Sequence, residues 1–307
     1  MDLQALLPNV VQILEQAAQA VIEIRDSKAD LQESWKNENG YESVFTIADL
    51  TSDRIIYNGL SQLTPGIPVI TEENVYDEIM KHDRDDLKNG YFWIIDPIDG
   101  TRHFKEGRDT WLILAALIHN RRPVLSVVYR PAGETRLGYY AIKGHGAYKF
   151  TDALENVERI RVNTTPSHEI NAMIEIPYAP AERLLDIFKT VAIKNRTQIE
   201  TDEKNGFSDA NAFFDCLLAE GKIDFITSPC DNRGGGEWDI AAPSLIVEEA
   251  GGYFRDFDNQ PLLFGTPDIK VKPSMSYARP ALYEEYTEEF FKRYVFENGV
   301  FTKKTCT

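Results

Sequence analysis

The sequence predicts an α+β half followed by an α/β half, and three features of the 307-residue chain lead to that reading. An amphipathic helix opens the chain. Between residues 110 and 150, apolar or alternating runs separated by turn residues read as an antiparallel meander. From about residue 160, strand-like and helix-like segments alternate, as they do in α/β architectures. The polar stretch "TDALENVE" near residue 155 marks the boundary, giving units of 1–155 and 156–307. A chain of this length can bury one large core, or two that share an interface.

In the opening segment "MDLQALLPNVVQILEQAAQAVIEIRD", Leu7, Val10, Val11, Leu14, Ala18 and Val21 recur at helical spacing, interrupted by Gln12, Glu15, Gln16 and Gln19. With no basic leading region, this is a helix packed on a core, and neither a signal peptide nor a membrane span. "DSKADLQESWKNENGYES" reads as a loop with room for a short hairpin. "FTIADLTSDRIIYNGLSQL" reads as a second helix, started near Thr46 or Asp49, with Ile55, Ile56, Leu60 and Leu63 facing inward. "TPGIPVITEEN" is a turn and a short strand, "YDEIMKHDRDDLKNG" a charged excursion, and "YFWIID" a strand. In the second half "NAMIEI" and "KIDFIT" read as strands. "PAERLLDIFKTVAI", "SDANAFFDCLLAEG" and "EWDIAAPSLIVEEAGG" read as helices, the last stopped by Gly251 and Gly252.

Lys and Arg number 33 against 49 Asp and Glu, a net charge of −16. That field disfavours nucleic-acid polymers and anionic membranes, while a small phosphorylated substrate is acceptable if cations reverse the charge locally. The three cysteines, Cys216, Cys230 and Cys306, are odd in number and form no C-x-x-C. A cytoplasmic protein without disulfides is therefore expected. The five histidines show no metal-ligand spacing, and "GHG" at 144–146 lacks the rest of a dinucleotide fingerprint.

The chemistry concentrates in acids at the ends of apolar runs. In "YFWIIDPIDGTRHF" a strand runs into Asp96 and Asp99, and two uncompensated carboxylates side by side repel. A turn with an Asp cap accounts for one of them. Shared divalent cations account for both, with the Ile98 carbonyl as a further oxygen ligand. Gly100 lets the backbone approach a ligand, and the helix-opening amides that follow suit an anion such as phosphate. Glu72 and Glu73 end another apolar strand, and Glu72 matters only if two strand ends of one sheet bring it to Asp96. Glu237 and Asp239 stand near the start of a helical segment, which both stabilise through the macrodipole, and metal ligation by Asp239 is an equally open reading. Capping is the ordinary account of Asp49 and Thr46, and a relay that activates water is the other reading.

Glu-Glu after a strand, D-P-I-D-G-T, and W-D-x-A-A with a downstream E-A-G-G occur here in order. "FTIAD" stands where a T-x-x-D segment would. Together these resemble the inositol monophosphatase family of metal-dependent, lithium-sensitive phosphomonoesterases, over residues 46 to 252. The resemblance implies a layered αβαβα sandwich with the site between the halves. It implies that Glu72, Asp96, the Ile98 carbonyl, Asp99 and Asp239 bind two or three Mg²⁺ ions, most of these ligands coming from the first half. Thr101 and Asp49 would orient and activate the attacking water, and the Gly100 and Thr101 amides would hold the phosphate. Substrate selection would fall to loops of the second half, and a homodimer is compatible with the sequence.

Within the family, "LTPGIPVITEEN" and "YFWIIDPIDGTRHF" are most similar to CysQ-type 3'(2'),5'-bisphosphate nucleotidases, and Arg102 after D-G-T also fits that group. "SDANAFFDCLLAEG" departs from it, lacking the serine pair and lysine expected before C-L-V-A-E-G. Similarity to histidinol-phosphate phosphatases and inositol monophosphatases keeps those substrates as alternatives. An inactive binding or regulatory member is disfavoured, because no ligand position has lost its residue type.

Overall fold

The computed structural model describes residues 1–27, 34–38, 41–74, 84–151, 153–165, 170–174, 198–200, 211–228, 236–266, 274–284, 294–297 and 300–303. Helix α1 (Leu3–Asp26) begins at an Asp2 cap that accepts from the amides of Gln4 and Ala5. It buries all six of the residues that its periodicity singles out. Strands β1 (Ser34–Glu38) and β2 (Tyr41–Phe45) form an antiparallel hairpin within the polar stretch. Helix α2 (Ile47–Leu63) starts at Thr46 and packs on α1, with Ile56 and Leu60 fully buried and Ile55 and Leu63 partly so.

Seven strands follow in one sheet: β3 (Val69–Thr71), β4 (Tyr91–Asp99), β5 (Leu112–His119), β6 (Arg122–Arg130), β7 (Leu137–Ile142), β8 (Gly146–Thr151) and β9 (Asn156–Ile160). They lie in chain order; β3 pairs parallel with β4, and the rest form the antiparallel meander. Short helices α3 (Arg84–Asn89) and α4 (Thr101–Lys105) precede and follow β4. The charged run "DRDDLKNG" is therefore partly helical and not simply an excursion.

A second sheet, ordered β11-β10-β12-β14-β13, is built from β10 (Asn171–Ile174), β11 (Gln198–Glu200), β12 (Phe225–Ser228), β13 (Tyr253–Asp256) and β14 (Ser274–Tyr277). The first three are parallel, and β14 and β13 are antiparallel. Helices α5 (Asn211–Ala219) and α6 (Glu237–Glu249) match two helices expected from the sequence. The third, "PAERLLDIFKTVAI", lies outside the described residues. Near the C-terminus, β15 (Tyr294–Glu297) and β16 (Val300–Lys303) pair as a hairpin.

The strand sequences explain the layering. A sheet with one wet face alternates apolar and polar residues, whereas one covered on both faces is apolar throughout. β5, "LILAALIH", is of the second kind: Leu112, Leu114, Ala116 and Ile118 join a core with α5 and α6, and Ile113, Ala115 and Leu117 join a core with α1 and α2. The described layers thus run α1/α2, seven-stranded sheet, α5/α6, five-stranded sheet.

Gly138 in β7 sits opposite Phe150 in β8, and a Cβ there would lie 2.1 Å from the buried Phe150 ring. Overpacking of this kind costs about 1–3 kcal/mol. Gly138→Ala is expected to lower unfolding free energy by that amount in denaturant titration. An unchanged midpoint would show that the ring moves aside freely.

Candidate active site

The site forms where β4 breaks its ladder. Asp96 pairs with Leu114 and Asp99 with Leu112, so Pro97 and Ile98 together oppose the single residue Ile113. Such a bulge shifts the alternation of side chains by one. Aspartates three residues apart, which a regular strand would point to opposite faces, then share one side. The bulge is held: the Ile98 amide donates to Asp96 Oδ1 at 3.0 Å, and the Ser52 hydroxyl of α2 donates to the Pro97 carbonyl at 2.8 Å. Asp96 and Asp99 are buried, 1% and 9% exposed.

Parallel pairing of β3 with β4 sets Thr71 opposite Ile95, and the Glu72 amide donates to the Ile95 carbonyl at 3.1 Å. Glu72 therefore stands beside Asp96 at adjacent strand ends, the convergence on which its role depended. The buried Thr71 hydroxyl donates to Asp53, one turn after Asp49 on α2, and the Thr71 amide donates to Asn74 Oδ1 at 2.8 Å. Asp239 comes from the first turn of α6, its Oδ2 accepting from the Gly236 amide at 2.6 Å. Asp96, Asp99 and Asp239 each bring a carboxylate oxygen within 4.8 Å of the others. Glu72 is not one of these three, yet its charge is the strongest of the neighbouring acids acting on Asp96.

Asp49 caps its own helix and also contacts Thr101. Its Oδ2 closes a capping box, accepting from the Thr46 amide and hydroxyl, both at 2.7 Å. Thr101 Oγ1 lies 3.0 Å from Asp49 Oδ1 and 3.1 Å from the Ile98 carbonyl. Gly100, left-handed at φ 87°, turns the chain from Asp99 into α4. Arg102 is exposed and pairs with Glu106 at 3.1 Å. His103 is engaged by Thr110, whose hydroxyl lies 3.0 Å from Nδ1. The glycine-rich stretch 229–235 lies outside the described residues.

Burial pushes the Asp96 carboxyl well above the usual carboxylate range, and the charges of Glu72, Asp99, Asp239 and Asp49 push it further. Burial also raises Asp49, against the hydrogen bonds from Thr46 and Thr101. Carboxylates placed this way want a cation. The three clustered ligand groups are all carboxylates, with a backbone carbonyl close by, and this oxygen set suits a hard divalent ion such as Mg²⁺.

The sequence reading passed over Ser52, Asp53 and Thr71, and it took Glu237 only as a helix-start acid. Asp53 was within reach, since it follows Asp49 by four residues and shares its helix face. The partners of the others come from distant segments and leave no local signal.

A bulged strand carrying paired aspartates, a neighbouring strand-end glutamate and a helix-start aspartate make an acidic cluster that could hold a metal ion, inside a layered α/β sandwich. Residues 6–290 match the family model described as the inositol monophosphatase family. The chain belongs to that family, and so to the enzymes that hydrolyse phosphate monoesters. It is 29% identical over 272 residues to the 3'(2'),5'-bisphosphate nucleotidase CysQ of Aggregatibacter actinomycetemcomitans, covering 88% of this chain and 91% of that protein. It is also 29% identical over 225 residues to a fructose-1,6-bisphosphatase/inositol-1-monophosphatase of Thermotoga maritima, covering 73% and 76%. Among solved structures, CysQ from Bacteroides thetaiotaomicron superposes with TM-score 0.68 at 24% identity, covering 91% and 98%. The suhB protein of Bartonella henselae superposes with TM-score 0.69 at 22% identity, covering 94% and 99%. The sandwich expected from the resemblance is thus the fold of this chain. No helix among the described residues is long and apolar enough to cross a membrane.

A carboxyl raised on folding holds its proton more tightly in the folded state. Its contribution favours folding below about pH 4 and is lost as pH rises above the ordinary carboxylate value. In chelator, the wild-type protein should therefore lose stability more steeply than Asp96→Asn as pH rises above about 4. At neutral pH the variant should be the more stable of the two. Superimposable pH profiles of denaturant unfolding would contradict the repulsion.

Proposed function

We propose that this protein is a Mg²⁺-dependent, lithium-sensitive phosphomonoesterase that hydrolyses a small phosphorylated metabolite by direct attack of water. The substrate assigned is the 3'-phosphate of 3'-phosphoadenosine 5'-phosphate. The observation that carries the chemistry is the convergence of Asp96, Asp99 and Asp239 within 4.8 Å. Glu72, Asp96, the Ile98 carbonyl, Asp99 and Asp239 would hold the ions. When bound, Mg²⁺ supplies charge neutralisation, a grip on phosphate oxygens and acidification of water.

The chain's own residues do the rest. The Thr101 hydroxyl donates to Asp49 and so keeps a lone pair to accept a hydrogen bond from the attacking water. Asp49, fixed by its bonds to Thr46, orients that hydroxyl. The amides of Gly100 and Thr101 hold the phosphate, reached through the left-handed Gly100. Water attacks directly because, among the described residues, no cysteine or serine is placed as a nucleophile, and the Cys216 thiol, pushed well up mainly by burial, is inert. The division of labour follows the two halves, 1–155 providing most ligands and 156–307 providing Asp239 and the substrate-selecting loops. The unpaired cysteine count supports a cytoplasmic location.

The nucleotide assignment rests on the relatives named CysQ, 27–29% identical to this chain. A second reading, an inositol or related sugar phosphate, is favoured by α5: where the nucleotidase pattern has serines and a lysine, this helix buries Ala212, Phe213 and Phe214.

Phosphate release should be compared for 3'-phosphoadenosine 5'-phosphate, inositol 1-phosphate and histidinol phosphate with Mg²⁺, with and without Li⁺. The nucleotide is expected to give the highest kcat/KM, and a nucleotide ranking no better than the others would overturn the substrate. Thr101→Val and Asp49→Asn are expected to lower kcat by about 10²–10⁴-fold while retaining metal binding. Full activity in either would remove the relay.

A further inference from the structure

Helix α6 crosses the seven-stranded sheet and is gripped at both ends by its own acids. At the C-terminal end, Glu249 accepts from the amides of Gly144 and Gly146, both at 2.8 Å, so that "GHG" forms a cradle for a carboxylate of the same chain. Glu248 pairs with Arg122 at 2.6 Å and with Arg255. At the N-terminal end, Glu237 is only 4% exposed. It accepts from the Gly265 amide at 2.5 Å, the Thr266 amide at 3.0 Å and the Thr266 hydroxyl at 2.6 Å.

The loop that Glu237 grips is itself tied to the first sheet. The Phe264 amide donates to the Arg121 carbonyl at 3.0 Å, and Arg121 Nε donates to the Phe264 carbonyl at 3.2 Å. Gly265, at φ +71°, presses so near Phe92 of β4 that a Cβ would lie 2.7 Å from its ring. A continuous set of bonds thus runs from the first turn of α6, through residues 264–266, to the turn between β5 and β6. Asp239 lies two residues beyond Glu237 in that same helical turn.

We propose that Glu237 is a positioning residue for the acid cluster: it locks the first turn of α6 against the first sheet, so that Asp239 meets Asp96 and Asp99. The inference rests on the metal-site reading given under Proposed function. Three donors converge on one buried carboxylate, whose loss would leave the Gly265 amide and the Thr266 groups without their acceptor. A helix held only by packing can slide by fractions of an ångström, and a ligand in its first turn slides with it. Glu249 performs the same kind of grip a full helix length away, where no cluster ligand is carried, and so provides the internal control.

The test is Mn²⁺ binding to the full chain by calorimetry, with thermal unfolding in parallel. Glu237→Gln is expected to weaken Mn²⁺ binding by about 10- to 100-fold, the range for residues that orient metal ligands. Glu249→Gln is expected to lower the melting temperature while leaving Mn²⁺ affinity within about two-fold, well below that range. Thr266→Val, a milder change, should weaken binding in the same direction and serves if Glu237→Gln does not fold. Unaltered affinity in the Glu237 and Thr266 variants, or an equal loss in Glu249→Gln, would overturn the inference. Asp239→Asn separates the two readings: if the wild type binds no Mn²⁺, or binds as Asp239→Asn does, the metal-site reading itself fails. If Asp239→Asn loses binding and Glu237→Gln does not, only the positioning role falls.

Discussion

Mutual repulsion among carboxylates that the backbone does not let separate is the constraint on which this molecule depends. Three devices impose it. A bulge in β4 turns Asp96 and Asp99 to one side. Parallel pairing with β3 sets Glu72 beside them. The capped start of α6 delivers Asp239. Ladder and cap hold the acids together, and the repulsion between them is relieved by a proton, as on the raised Asp96, or by a cation. Asp96, walled in by burial and four neighbouring acids, is its focus.

The scaffold is stiff where the demand is greatest. β4 and β5 are covered on both faces, so the bulge sits in a sheet with apolar cores above and below it. α2 adds a second brace. From one helix, Asp49 reaches Thr101, Ser52 reaches the Pro97 carbonyl and Asp53 reaches Thr71. The helix that looks like core cover therefore also arranges the polar edge of the site. Loss of packing under α2 would be felt as loss of geometry at the cluster.

Much of this was legible in the sequence, and the rest was hidden for physical reasons. Helical periodicity marked α1 and all of its buried residues but Leu6 and Ala17, because a 3.6-residue repeat is a local property. Asp96 and Asp99 stood out because an apolar strand rarely ends in two acids. Glu72 was conditional, since the pairing of the three-residue β3 with β4 is a tertiary fact. The bulge that makes D-P-I-D a same-side pair was not readable, nor was the engagement of "GHG" with Glu249. The helical turn of α3 was masked by its charge, which propensity alone does not resolve. The grip of Glu237 on Gly265 and Thr266 was not readable, because those partners lie some 28 residues downstream in a loop with no periodic signal.

Diffraction from crystals soaked in Mn²⁺, with data collected at the manganese absorption edge, tests the central claim most directly. Anomalous density is predicted among the carboxylates of Glu72, Asp96, Asp99 and Asp239, with the bulge and the α6 cap unmoved. Well-ordered crystals with those side chains in place and no anomalous density between them would contradict the account.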